Sequence, residues 1–331
     1  MLTLLWIAFI IAMLALMALD LGLLHGSPHV IGIREAMIRT AGWVLLALAF
    51  NVLVYFMYRY NWLDIGQHLT DRQGRDVNFS GKQAAIDFFT GYIVEQSLSM
   101  DNMMVFALIF AYFKVPLAQQ HRVLFWGVLG AFILRGLMIA AGTALIQRFE
   151  WITYVFGALL LYTAVKMMLA TSEDIHPERN LAVRLARRFY PVTTEFHDSL
   201  FFLVNDGRRL MTPLFLALIL VSTADAVFAI DSIPAIFAIT RDPFIVFTSN
   251  VFAVLGLRSL YFALAGMIEK FRYLKPSLIF LLGFIGVKMM ISHYYKIDTI
   301  PSLAIIGAIL GIGVAASMVA DRRSSAKPDD L

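Results

Sequence analysis

Two stretches decide the fold: Glu95-Gln-Ser-Leu-Ser-Met-Asp101-Asn102 and Asp225-Ala-Val-Phe-Ala-Ile-Asp231-Ser232. Each places two acids six residues apart, closes on acid then hydrogen-bonder, and lies inside a long apolar block. Ionisable side chains at such positions are costly in a membrane and mark function. The offset between the stretches is 130 residues. Downstream, Leu-Arg135-Gly-Leu pairs with Leu-Arg258-Ser-Leu at an offset of 123, and Val-Lys166-Met-Met with Val-Lys288-Met-Met at 122. Three matches in order imply an internal repeat, with a short deletion after the first member.

The rest of the chain fits a membrane bundle. Of 331 residues, 60% are hydrophobic and 15% charged, whereas soluble domains are roughly 45–50% apolar and about 25% charged. Mean hydropathy is +0.76. Nine apolar blocks approach the ~20 residues a crossing needs. They lie near 3–24, 38–60, 83–112, 121–144, 150–170, 212–240, 244–267, 272–293 and 299–320. The expected fold is all-α, a single polytopic transmembrane domain over 1–331. Spans one and two fall at 3–60, repeat one at 83–170, a cytoplasmic loop at 171–211, repeat two at 212–293, a last span at 299–320 and a disordered tail at 321–331. Three spans per repeat make the copies inverted, the architecture of many secondary transporters with midplane sites. The first block lacks a preceding Lys or Arg and exceeds a signal-peptide core, so it reads as a retained span. Lys and Arg number 16 in the odd-numbered connections and tail, and 7 in the even-numbered connections. This bias predicts an outside N-terminus and a cytoplasmic C-terminus.

Nine ionisable residues fall at membrane depth: Asp20, Glu95, Asp101, Asp225 and Asp231 against Arg135, Lys166, Arg258 and Lys288. Glu95, Asp101, Asn102, Asp225, Asp231 and Ser232 are the candidate metal residues. Carboxylate, amide and hydroxyl oxygens suit Mn²⁺, Mg²⁺ and Ca²⁺. No cysteine is present and no histidine lies near these motifs, which disfavours Zn²⁺ and Cu⁺. Pro234 would free the Ile230 carbonyl beside Asp231. Arg135 and Arg258 read as counter-ions or gating residues. Lys166 and Lys288 read as snorkelling cations near opposite surfaces, and Asp20 and Asn51 as accessory polar residues. The basic stretch Arg184-Leu-Ala-Arg-Arg188 makes the 171–211 loop the place for a protein or anionic-lipid partner. No His-Glu-x-x-His zinc motif and no phosphate-binding glycine loop occurs, so no enzyme activity, cofactor or nucleic-acid partner is expected.

Thr90-Gly-Tyr-Ile-Val-Glu95 through Asn102, Asp225 through Ala238, Asp242-Pro-Phe-Ile-Val and Ser249 through Arg258 resemble the TerC family of bacterial membrane proteins, most closely its Alx-type branch. The resemblance covers nearly the whole chain. It implies an inner-membrane protein linked to manganese export, with tellurite resistance behind the family's older name and an architecture similar to lysine exporters. Carried over by motif, the metal residues are again Glu95, Asp101, Asn102, Asp225, Asp231 and Ser232. One departure is that Ser-Thr-Ala precedes Asp225 where an acid-bearing lead-in is expected, which removes one acid. The leading expectation is a proton-coupled Mn²⁺ exporter. The alternatives are a non-transporting scaffold, for tellurite resistance or metal supply to exported proteins, and a basic amino-acid exporter.

Overall fold

The computed structural model describes residues 2–22, 32–62, 65, 80–149, 151–169, 180–193, 200–205, 208–265, 273–292, 294–295 and 297–325. Eleven helices and one hairpin make up the described chain. Before the long central connection come α1 (Leu2–Gly22), α2 (Ile33–Arg59), α3 (Gly81–Phe113), α4 (Leu117–Arg148) and α5 (Ile152–Leu169). The loop region holds α6 (Leu181–Phe189), β1 (Phe202–Asn205) and β2 (Arg208–Met211). Then follow α7 (Pro213–Phe237), α8 (Pro243–Leu255), α9 (Leu257–Ala265), α10 (Leu274–Ile291) and α11 (Thr299–Ser325).

The helix ends follow local chemistry. Ser80 Oγ accepts from the Gln83 N–H at 3.2 Å and starts α3. Lys114, left-handed at φ 55°, ends it before Pro116, which cannot continue a helix. Asp242 caps α8 by accepting from the Phe244 and Ile245 N–H groups at 2.9 and 3.3 Å, and Pro243 follows where its missing N–H costs nothing.

The most extensive packings are α5 on α10, α4 on α7 and α3 on α8. That pattern has the two-fold character expected of paired repeats α3–α5 and α7–α10. The first pair is close because it meets at glycines. A Cβ on Gly286 would lie 3.0 Å from the Gly157 carbonyl, and one on Gly157 3.2 Å from the Gly286 carbonyl. Small residues let membrane helices approach in this way. Aromatic rings tie α1 and α2 onto α8, with Phe9–Phe244 at 5.8 Å and Phe50–Phe252 at 4.6 Å. The outer faces stay apolar: Leu4, Leu45, Ile133, Leu137 and Ile312 are all exposed, as a lipid-facing surface requires.

Among the described residues nine crossings are not confirmed. Every predicted segment contains a helix, but six among the described residues are long and apolar enough to cross: α2, α3, α4, α5, α7 and α11. The pair α8 and α9, bent by 41°, makes a seventh if it is one broken span. Thr3–Leu19 is an apolar run within α1, and α1 as a whole is 21 residues long, the length of a crossing. Helix α11 also runs to Ser325, five residues beyond its predicted end. The tail beyond it, 326–331, lies outside the described residues.

Candidate functional site

The middle of the bundle holds a buried ion cluster. Asp225 is the central residue of α7, Glu95 sits near the centre of α3, and Arg135 reaches both from α4. Glu95, Arg135 and Asp225 are 0%, 1% and 3% exposed. Arg135 Nη1 donates to Glu95 Oε1. Its Nη2 and Nε donate to Asp225 Oδ1 and Oδ2 at 3.1 and 3.5 Å. The bidentate fork suits a guanidinium's planar donors. Asn250 on α8 closes the ring: its Oδ1 accepts from Arg135 at 3.0 Å and its Nδ2 donates to Glu95 Oε2 at 3.1 Å. Ser99 donates to Glu95 Oε1 at 3.1 Å, and Ser232 Oγ accepts from Arg135 at 3.4 Å.

The six predicted metal residues do not form one coordination sphere. Glu95, Asp225 and Ser232 converge, whereas Asp231 is half-buried and accepts from Thr163 of α5 at 2.8 Å. Asp101 is half-buried and Asn102 buried. The cause is helical geometry. Six residues turn a helix through about 600°, which leaves the two acids of each pair roughly 120° apart. Asp225 therefore meets α4 and Asp231 meets α5. Among the described residues, no group of three or more His, Cys, Asp or Glu is placed to hold a metal. Nor does Pro234 break its helix; α7 runs through it to Phe237. The break falls instead at Gly256, between α8 and α9.

The accessory residues divide. Arg258 on α9 is buried and shares with Asp225 the wall of a void of about 10 Å³, room for one water. Lys166 is exposed, in keeping with snorkelling, but Lys288 is buried and donates to Ser302 at 3.0 Å. Asn51 Oδ1 is buried with no hydrogen-bond partner among the described residues. The side chain of Asp20 lies outside the described residues.

A second polar cluster, which sequence reading did not find, joins α2, α3, α8 and α11. Tyr58 donates to Asp242 Oδ2. Gln83 Nε2 donates to Asp87 Oδ1 at 2.7 Å and to Thr299 at 2.9 Å. Asp87 and Asp242 are both buried, and Lys288 lies within electrostatic reach of Asp87. Asn250 was also overlooked. The available signal was a lone amide in the apolar run 243–255, because a polar side chain buried there must find partners.

The described geometry is therefore an inward-facing set of acids and arginines in an apolar helical bundle. The family model for the integral membrane protein TerC family matches residues 80–325. An uncharacterized membrane protein of Myxococcus xanthus is 45% identical over 98% of this chain and 95% of its own. The Alx proteins of Salmonella typhi and Escherichia coli (strain K12) are 44% and 43% identical, each over 93% of this chain and 92% of their own. No solved structure matches. On a family match that covers both repeats and relatives aligned nearly end to end, this chain belongs to the TerC family of integral membrane proteins.

Proposed function

We propose that this protein exports a divalent cation, Mn²⁺, across the bacterial inner membrane in exchange for protons, with its C-terminus in the cytoplasm. The observation that carries the reading is the ring of oxygens around Arg135. Oxygens of Glu95, Asp225, Ser232 and Asn250 already surround one cationic group at mid-bundle. Hard oxygen ligands of this kind suit Mn²⁺. In this reading Arg135 is a tethered stand-in for the cargo. It keeps two buried carboxylates compensated while no metal is bound, and it withdraws when a dication takes the same oxygens. Asp231 and Asp101, half-buried on neighbouring faces, serve as flanking stations rather than members of the central site.

The test is Mn²⁺ flux into proteoliposomes holding the full chain, with Asp225→Asn and Asp231→Asn beside it and a pH gradient as variable. Flux that responds to the gradient and falls at least tenfold in each variant is expected. Flux unaffected by both substitutions, or absent from a folded wild type, would overturn the reading.

A second reading is a non-transporting scaffold. It draws on the α6–hairpin unit, an ordered extra-bundle element. Loss of Mn²⁺ tolerance on removing that unit, with carboxylate variants fully active, would favour it. The Alx relatives carry the words "membrane-bound redox modulator" in their names. In this chain thiol chemistry has no residue, since cysteine is absent.

A further inference from the structure

The loop region between the repeats carries a feature unrelated to the ion cluster. Asn180 caps α6 by accepting from the Ala182 and Val183 N–H groups at 3.0 and 3.2 Å. Val183 is fully buried and holds the helix against α7. The remaining surface of α6 is divided sharply. Leu181, Leu185 and Phe189 repeat every fourth residue and are 77%, 56% and 69% exposed. Arg184, Arg187 and Arg188 are exposed on the adjoining arc. A short helix with one apolar edge and one arginine edge lies in a membrane interface, the apolar edge among acyl chains and the cations at phosphate level.

Its surroundings repeat that chemistry. Tyr190 meets Phe202 edge-on at 5.8 Å, Phe202 meets Phe215 at a tilt at 4.4 Å, and the Arg122 guanidinium sits 4.8 Å over the Phe201 ring. Aromatic rings concentrate at the headgroup level of membrane proteins. The segment 180–212 holds five arginines against three acids, Glu195, Asp198 and Asp206, and is net positive. Beside α6 opens a cavity of about 510 Å³, lined by Phe113, Arg187, Val192, Thr193, Pro213 and Leu216. Phe113 ends α3 and Pro213 begins α7, so the cavity lies where the helices leave the bilayer. One cation and one hydroxyl among apolar walls match a phosphate joined to hydrocarbon.

We infer that this cavity is a binding site for an anionic phospholipid, with Arg187 taking the phosphate and Phe113, Val192 and Leu216 taking the start of an acyl chain. An acidic protein segment would use the arginines. It would leave the exposed Leu181–Leu185–Phe189 edge in water, so the lipid accounts for both edges.

The experiment uses the full chain in detergent and measures retained lipid by native mass spectrometry, with phosphatidylglycerol and phosphatidylcholine as probes. Saturable preference for phosphatidylglycerol is expected. Arg187→Ala should weaken it about fivefold, the attraction one arginine contributes near an anionic surface, with unfolding temperature unchanged in phosphatidylcholine. Arg148→Ala, at the other end of α4, should leave the preference intact. Equal retention of the two lipids, or equal loss in both variants, would overturn the inference. So would displacement of bound phosphatidylglycerol by millimolar inorganic phosphate, which would make the cavity a free-phosphate site. Preference retained by Arg187→Ala but abolished when a co-purifying protein is stripped away would assign the surface to that protein instead.

Discussion

Glu95 and Asp225, 130 residues apart in the chain, hold the same guanidinium, that of Arg135, from two different helices. The two acids are repeat mates, so the internal duplication has placed one charge from each copy on a single partner from the first. The mate of that partner, Arg258, lies across a water-sized void from Asp225.

Removing Arg135 should be far more damaging than removing the whole cluster. Arg135→Met leaves two buried carboxylates uncompensated, which costs about 3–5 kcal/mol. The triple variant Glu95→Gln, Arg135→Met, Asp225→Asn should recover most of that stability, because the sites share one network and are not additive. Thermal unfolding of the purified proteins reads this directly. A triple variant as unstable as Arg135→Met would show that the cluster's charge balance is not what holds it.

Asn250→Leu should disturb the ring from a different side. It removes a donor to Glu95 and an acceptor from Arg135, and an unmet buried polar group costs about 1–3 kcal/mol. Asn250→Ser, which retains a short hydrogen-bonding group, should lose less. The ordering of the two unfolding temperatures is the check.

Tyr58→Phe deletes one hydroxyl and leaves the buried Asp242 carboxylate with the backbone donors of α8 alone. A loss of about 1–3 kcal/mol follows from the missing charged hydrogen bond. Asp242→Asn in the same background should restore part of it. Failure of Tyr58→Phe to lower the unfolding temperature would mean that the tie between α2 and α8 is energetically idle.

Gly286→Ala tests the closest helix crossing. The added methyl would meet Leu161 Cγ at 2.9 Å and the Gly157 carbonyl at 3.0 Å. Backbone cannot yield as a side chain does, so α5 and α10 must separate, at a cost of about 1–3 kcal/mol. Gly283→Ala, with open space around its Cβ position, is the neutral comparison on the same helix. Equal unfolding temperatures for the two would count against a packed glycine contact.

Much of this structure was legible in residue order. Charged residues inside apolar blocks announced a buried network, because charge in lipid is too costly to be incidental. What order alone did not give was which face each acid used. Two acids six residues apart look like a pair on paper, yet a helix turns them to different neighbours, Arg135 for Asp225 and Thr163 for Asp231. The position of the helix break was hidden for a similar reason. Pro234 carries the obvious signal, but its lost hydrogen bond is absorbed within α7, and Gly256 bends the chain without any unusual residue beside it. Asn250 escaped notice because its partner Glu95 lies 155 residues away, and Asp87 because Gln83, four residues before it, also binds Thr299, 216 residues further on.

The pairing of Glu95 and Asp225 with Arg135 and Arg258 has an electrical consequence. Two acids and two arginines at mid-bundle sum to zero formal charge, so a shift of the four together moves no net charge through a transmembrane voltage, whereas a shift of one arginine away from the acids does. A voltage acts on each moved elementary charge by about 2.3 kcal/mol per 100 mV. A cluster that moves as one body is then indifferent to such a voltage, while a guanidinium that left its two carboxylates would feel it as one full elementary charge.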